Sequence, residues 1–304
     1  MPVIVGVLLG FGAALSQSLS YLFSRVLVRG VHLKAWNLLA LSHVIMAAFS
    51  IALLPVFWPK VMPPFREYAL PLSAVAVSYL AGQVGLFLAL RTSDASRVAP
   101  LLGLKIIILA VVTVSLFGKH YSPLQWTAVI LSVAAAAMLN RFGDRMAWQS
   151  VLWVLFTCVG YAISDLNIPP LVSHFGSEGL MRASAFSTCL CYILCGAITA
   201  AMLPFLPRIS AKAWLGAVPF SLAWFIAMLL LFASFSSIGV VYGNIVQSSR
   251  GVLSILIGAV VAAAGLEHLE VKTSRTVLIQ RVFAAVLLTG AIALFQLGGP
   301  KPGS

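Results

Sequence analysis

Long apolar stretches alternate with short polar ones along the whole chain of 304 residues. A helix needs about 20 consecutive apolar residues to cross the roughly 30 Å hydrocarbon core of a bilayer. Cutting the sequence where charges or prolines interrupt the apolar pattern gives ten windows of that size: 3–23, 36–58, 68–90, 95–117, 122–140, 148–169, 179–203, 212–233, 238–263 and 276–297. The pattern therefore predicts an all-α membrane protein with ten transmembrane helices and short connections.

Composition supports a bilayer environment for these windows. Hydrophobic residues make up 61% of the chain and charged residues 9%, whereas soluble domains average about 45–50% and about 25%. An ordinary water-soluble enzyme is therefore excluded. The formal net charge of +12 is not gathered into a basic run that would bind nucleic acid. The cations lie singly or in pairs between apolar stretches, as expected of segments that flank a membrane.

The flanking cations predict an orientation. Connections that follow odd-numbered helices hold eleven of them, whereas the even-numbered connections and the tails hold five. Positive residues are retained preferentially in the cytoplasm. This bias predicts cytoplasmic odd-numbered connections and both termini outside.

Similar features recur at a shift of about 148 residues. The matched segments, in the same order in both halves, are Gly12–Ser16 with Gly160–Ser164, 53–60 with 202–208 (one residue shorter), Gly103 with Gly251, and His120 with His268. They predict two five-helix repeats, over residues 1–143 and 144–304. Because five is odd, the repeats enter the membrane from opposite sides, which creates a pseudo-two-fold axis and a shared site near the midplane.

Several segments resemble the EamA-type unit of the drug/metabolite transporter superfamily. In the first half they are Phe87–Ser96 (FLALRTSDAS), Phe117–Ser122 (FGKHYS) and the small-residue helix 128–139; in the second they are Leu231–Ser237 (LFASFSS) and Gly265–Glu270 (GLEHLE). The resemblance covers nearly the whole chain. It implies a ten-helix secondary carrier, often an exporter of amino acids or other small metabolites, with both termini in the cytoplasm. Family members commonly end the fourth helix of each unit with a glutamate, which Glu267 matches and Lys119 replaces.

Two cations lie where a charge is costly. Lys105 is in the middle of window 95–117 and Arg250 in the middle of window 238–263, and such a residue at the bilayer centre costs about 2.5–3.5 kcal/mol on insertion scales. Asp165 is the one acid well inside a window, so about one positive charge lacks a carboxylate. The cations therefore either bind an anionic substrate or form structural pairs with Asp165 and helix-end carbonyls.

Other polar residues indicate which helices line a cavity. Polar side chains in a membrane helix seek partners inside the bundle, so helices 1, 3, 4, 6 and 9 are predicted walls, and the small residues of helices 5 and 10 predict close packing. The anionic group of the substrate is assigned to Lys105 and Arg250. Hydrogen bonds to the substrate are assigned to Asp165, Asn167, Tyr79, Gln83, Asn244 and Gln247, and coupling to a proton to Asp165, His43 or Lys105.

These features predict a secondary active transporter in a bacterial inner membrane, with a small-molecule substrate, the lipid bilayer and protons or a counter-substrate as partners. It exports an amino acid or another carboxylate- or phosphate-bearing solute by alternating access. The sequence contains no nucleotide, catalytic or metal motif, so no catalytic residue, cofactor, metal or nucleic-acid partner is predicted. Two alternatives remain: an intramembrane lipid-modifying enzyme, and a non-transporting receptor or assembly subunit.

Cysteines at positions 2 and 143 test the orientation. If the charge bias governs insertion, a membrane-impermeant maleimide labels Pro2→Cys in intact cells and Gly143→Cys only after the cells are opened. The reverse pattern, which the resemblance implies, would contradict the charge-based orientation.

Overall fold

The computed structural model describes residues 2–31, 35–92, 102–138, 148–206, 209–263 and 275–299. Within these ranges the chain is helical. In chain order the α-helices are α1 (Val3–Val31), α2 (Ala35–Phe57), α3 (Phe65–Thr92), α4 (Leu104–Phe117), α5 (Pro123–Met138), α6 (Trp148–Ser173), α7 (Leu180–Ala200), α8 (Ala211–Ile238), α9 (Val240–Gln247), α10 (Arg250–Ala263) and α11 (Arg275–Leu297). Short 3-10 turns at Gly176–Glu178 and Leu203–Phe205 follow α6 and α7.

The predicted windows match these helices. Seven segments of the described chain are long and apolar enough to cross a membrane, and three shorter apolar helices belong to α4, α5 and α11. The protein is therefore an all-α, multi-pass integral membrane protein, as predicted. The start of the fourth window (95–101), Glu267 and most of the cations used for the orientation lie outside the described residues or side chains.

The ninth window differs from the prediction of one helix over residues 238–263. Here α9 ends at Gln247 and α10 begins at Arg250. The backbone N–H group of Ser248 is shared between Asn244, four residues earlier at 3.0 Å, and Ile245, three residues earlier at 3.2 Å. Those of Ser249 and Gly251 donate to the carbonyl three residues earlier, at 3.1 and 3.2 Å. Such bonds wind the chain more tightly than an α-helix. Arg250 consequently begins a helix inside the span instead of lying in the middle of one.

The most extensive helix contacts each join the two halves of the chain. They pair α1 with α8, α3 with α6, α2 with α7, and α5 with α11. Exchanging the first five spans for the second five leaves this set of pairs unchanged, because α1–α8 becomes α6–α3 and the other two pairs map onto themselves. A pseudo-two-fold relation would give this pairing; the division into repeats at residue 143 stays a prediction.

Glycines bring α3 and α6 close together. A Cβ added to Gly160 would lie 2.8 Å from the carbonyl oxygen of Ser78 and 3.0 Å from the backbone of Gly82. Backbone atoms cannot move aside as the end of a flexible side chain can, so this crossing requires glycine. It fixes the position of the part of α6 that carries Tyr161 and Asp165.

The hydrophobic core is continuous at one end of the bundle, which we call the terminal end because Val3 and Leu297 lie there. Aromatic rings from both halves make edge contacts at this end, with centroids 4.8–5.7 Å apart, through Trp58, Phe65, Tyr68, Phe175 and Phe186. At the opposite end, the described buried residues form two separate clusters. One joins α1, α2 and α8 through Leu27, Leu41, Ile45, Ala213 and Ala217, and the other joins α3 and α6 through Ala89, Val154 and Cys158.

Replacing Gly160 with alanine tests the α3–α6 crossing. The added methyl group forces the two backbones apart, and overpacking of this kind costs about 1–3 kcal/mol, so we expect a clearly lower melting temperature of the purified protein. Gly290→Ala on α11 is the control, because no described atom lies within 4 Å of its added Cβ. Equal melting temperatures for the two variants would refute the close crossing.

Candidate functional site

Polar side chains meet near the middle of the bundle in three groups. The lysine group is Lys105, Asp165 and Asn244; the arginine group is Arg250, Gln17 and Gln247; and the tyrosine group is Tyr79, Gln83, His43, Tyr161, Tyr192 and Trp224. Lys105 lies about 18 Å from the end of α4, and Arg250 about 15 Å from the start of α9, at a helical rise of about 1.5 Å per residue. Both depths are close to the centre of a hydrocarbon core about 30 Å thick.

The lysine group is a compensated ion pair. Lys105 Nζ lies 2.8 Å from Asp165 Oδ2, and Asn244 Nδ2 donates to the same oxygen at 3.0 Å. The ammonium also lies 5.9 Å from the ring centroid of Tyr161, within the range of a cation–π interaction. The additional hydrogen bond and the ring help to offset the cost of removing both charges from water. For Lys105, the structural pair with Asp165 that the sequence left open is therefore formed.

The arginine group is held by a neutral acceptor. Gln17 Oε1 accepts from Arg250 Nη1 at 3.0 Å and from Gln247 Nε2 at 3.1 Å. Among the described residues Arg250 forms no ion pair, and a guanidinium has five N–H donors. No described residue therefore cancels the positive charge of Arg250, and most of its N–H donors remain available to another acceptor.

The break between α9 and α10 aligns these side chains. Asn244, Gln247 and Arg250 follow one another at steps of three residues. In an α-helix three residues fall about 60° short of a full turn, whereas in a 3-10 turn they complete it. The tight turn at residues 248 and 249 therefore places Arg250 in the row of Gln247, and both reach the same oxygen of Gln17.

The tyrosine group continues the polar network from the ion pair. Gln83 Nε2 donates to the Tyr79 hydroxyl at 2.9 Å, as expected for residues four apart on one helix face. The Tyr79 ring lies 6.0 Å from that of Tyr161 and 6.4 Å from that of Tyr192. Trp224 Nε1 donates to the Tyr192 hydroxyl at 3.1 Å. Tyr161 thus connects this aromatic cluster with Lys105.

His43 belongs to the tyrosine group through its ring, whose centroid lies 5.6 Å from that of Tyr79 and 6.0 Å from that of Tyr192. Its Nδ1 is 2.8 Å from the carbonyl oxygen of Leu39. A carbonyl only accepts, so Nδ1 carries the hydrogen and Nε2 is left as an acceptor. The buried Nε2 has no partner among the described residues. The described contacts connect His43 with the ion pair only through the rings of Tyr79 and Tyr161.

Asn167 is the one predicted site residue that the structure does not bring to the network. Its Nδ2 donates to the carbonyl of Ile163 at 2.8 Å, four residues earlier in α6. Two residues along an α-helix turn the side chain by about 200°, so Asn167 and Asp165 lie on opposite sides of α6.

Four members of the network had no assigned role in the sequence. Gln17 and Tyr161 lie on predicted cavity helices, and the shift of 148 that aligns Gly12 with Gly160 also aligns Gln17 with Asp165, which was a usable signal. Trp224 lies in the middle of its window and not at a helix end, where membrane tryptophans are enriched, which makes it a candidate to line the pathway. Tyr192 carried no such signal, because a single aromatic residue in an apolar helix is typical of ordinary packing.

Comparisons with known proteins agree with this architecture. Residues 4–141 match the model of a family described as the EamA-like transporter family. A protein of known crystal structure is 18% identical to this chain, with 96% of each chain covered and a TM-score of 0.71. Identity this low shows a shared fold and nothing about the substrate. No curated protein matches the sequence.

A double-mutant cycle tests the lysine group. Asp165→Asn leaves the Lys105 charge uncompensated, and breaking a buried pair from one side costs about 3–5 kcal/mol. We expect Asp165→Asn with Lys105→Met to be more stable than the sum of the single effects by more than about 1 kcal/mol, measured by unfolding of the purified protein. Asp165→Asn combined with Lys119→Met is the control and should be additive, since Lys119 is exposed beyond the end of α4. Additivity in both cycles would disprove the pair.

Proposed function

Because the chain belongs to the EamA-like transporter family of the drug/metabolite transporter superfamily, we propose that it is a secondary active transporter for a small polar metabolite with a carboxylate or phosphate group. The observation that carries this proposal is Arg250, a cation at mid-membrane depth whose side-chain acceptor is the neutral amide of Gln17. Export is the proposed direction, an amino acid the proposed substrate, and a bacterial inner membrane the proposed location.

The arginine group binds the anionic end of the substrate in this proposal. A guanidinium matches a carboxylate geometrically, with two parallel hydrogen bonds. Asn244 and Gln247 lie between Arg250 and Asp165 along α9, so a substrate seated on Arg250 extends along amide groups toward the ion pair. An amino group at that end would compete with Lys105 for the carboxylate of Asp165.

Asp165 is the proposed coupling residue. Its carboxylate oxygen holds both Lys105 and Asn244, so a proton or a substrate ammonium that neutralises it releases contacts to α4 and α9 together. Those two helices come from different halves of the chain. The energy for uphill transport then comes from an ion gradient or from exchange, because the sequence contains no nucleotide-binding motif.

Alternating access is supported by a difference in packing between the two ends of the bundle. The aromatic contacts through Phe175 and Phe186 close the bundle between the site and the terminal end. At the opposite end, the described hydrophobic contacts separate α1, α2 and α8 from α3 and α6. In this proposal these two groups of helices move relative to each other, and the described conformation gives access to the site from the opposite end.

Transport assays in proteoliposomes test the proposal. Counterflow of labelled amino acids and of anionic metabolites is expected with the wild-type protein and is expected to fall at least tenfold with Arg250→Ala. Lys119→Ala removes an equal charge from an exposed position and should transport normally. No counterflow by the folded wild type would count against a transporter for these solutes, and unchanged counterflow with Arg250→Ala would exclude the arginine group as the site.

A further inference from the structure

The two central cations are held in matching ways by the two halves of the chain. Asp165, on the first span of the second half, holds Lys105 on the fourth span of the first half. Gln17, on the first span of the first half, holds Arg250 on the fourth span of the second half. The shift of 148 residues places Gln17 on Asp165. The same shift places Lys105 on Leu253, three residues beyond Arg250, so exchanging the halves brings each contact to within one helical turn of the other.

The chemistry of the two contacts differs although their positions are similar. Asp165 gives Lys105 a carboxylate, which cancels its charge, whereas Gln17 gives Arg250 an amide, which does not. An imidazolium at His43 would be a buried charge with no carboxylate partner among the described residues, which is costly, so the ring is taken as the neutral Nδ1–H tautomer. The network of described side chains then has a net charge of one positive unit. Gln17 is 3% exposed, and a glutamate of nearly the same shape at this position would bring the net charge to zero.

We propose that Gln17 is the specificity-determining residue of this transporter: by presenting a neutral acceptor to Arg250, it sets the site to select a singly charged anionic group, such as a carboxylate, over a doubly charged phosphate, a neutral group or a cation. This inference rests on the proposed function and narrows its substrate class: among amino acids, it favours those with a net charge of minus one over zwitterions with a net charge of zero.

The selection follows from the cost of uncompensated charge away from water. A single negative charge neutralises the network, whereas a neutral ligand leaves Arg250 uncompensated and a dianion leaves one negative charge in excess. A cation adds to the positive charge and is repelled. Discrimination by such mismatched charges requires no shape difference between ligands.

Two substitutions move the net charge of the site in opposite directions. Gln17→Glu gives Arg250 the kind of partner that Lys105 has, and so cancels the net charge. Asp165→Asn gives Lys105 an amide, as Arg250 has, and so raises the net charge to two positive units. In the Asp165→Asn variant, a side-chain amide oxygen accepts from Lys105 in the way that the amide oxygen of Gln17 accepts from Arg250. Both cations therefore retain a hydrogen-bond acceptor.

Binding of four probes with a common ring tests the inference on the purified full-length protein. Benzoate, phenyl phosphate, benzamide and benzylamine are titrated at about pH 7.5, where a phosphate monoester carries close to two negative charges. A phenyl ring is a suitable body because the network contains the rings of Trp224 and Tyr161, and the ring of Tyr21 lies 6.1 Å from that of Trp224. We expect the wild type to bind benzoate at least tenfold more tightly than the other three probes.

The variants are expected to change this order in a defined way. Gln17→Glu should weaken benzoate at least tenfold while benzamide is little changed, and Asp165→Asn should shift the preference from benzoate to phenyl phosphate at least tenfold. Gln149→Glu, which makes the same chemical change at an exposed position on α6, should keep the wild-type order. Melting temperatures identify a variant that fails to fold, in which case the other variant decides.

The inference is overturned if the wild type does not prefer benzoate, or if the order of probes is the same in every folded variant. Binding requires no transport, so the two proposals fail separately. If the probes bind in the predicted order but counterflow is absent, the transporter is refuted and the charge-selective site stands. If counterflow occurs but the probes do not bind in that order, only the role of Gln17 is refuted.

Discussion

The fold depends on how two positive charges are kept at the centre of a bilayer. A lysine or arginine at that depth is costly unless protein groups replace water around it. Lys105 is held by a carboxylate and an aromatic ring, whereas Arg250 is held by one amide oxygen. Each of these contacts crosses between the halves of the chain. The cations are therefore also what makes the two halves interdependent at mid-membrane depth.

Local backbone features make these contacts geometrically possible. The glycine crossing at Gly82 and Gly160 lets α6 approach α3 closely enough for Tyr161 to stack on Tyr79. The tight turn before Arg250 brings its side chain into one row with Gln247. Neither feature binds anything by itself. Together they bring side chains from the first, third, fourth, sixth and ninth spans to one level of the bundle.

Much of this arrangement follows from the sequence. The apolar windows predicted the helices because the thickness of a bilayer dictates their length, and the scarcity of acids identified Asp165 as the partner of a central cation. The turn at residues 248 and 249 was not predictable, because an apolar stretch with two serines reads equally well as an unbroken helix. Asn167 lies near Asp165 in sequence but on the other side of α6, so sequence proximity did not indicate that its side chain lies outside the network, and its assignment to the substrate stays a prediction. The role of Gln17 depends on a contact across more than 200 residues, which no local pattern records.

The central claim is that Arg250 is available to an anion while Lys105 is not. A structure of the full-length protein with 4-iodobenzoate tests it most directly, because the iodine marks the ligand unambiguously. We expect the carboxylate within hydrogen-bonding distance of the Arg250 guanidinium, with the pair between Lys105 and Asp165 intact. A carboxylate bound to Lys105 with that pair broken, or an acidic side chain already paired with Arg250, would contradict the claim.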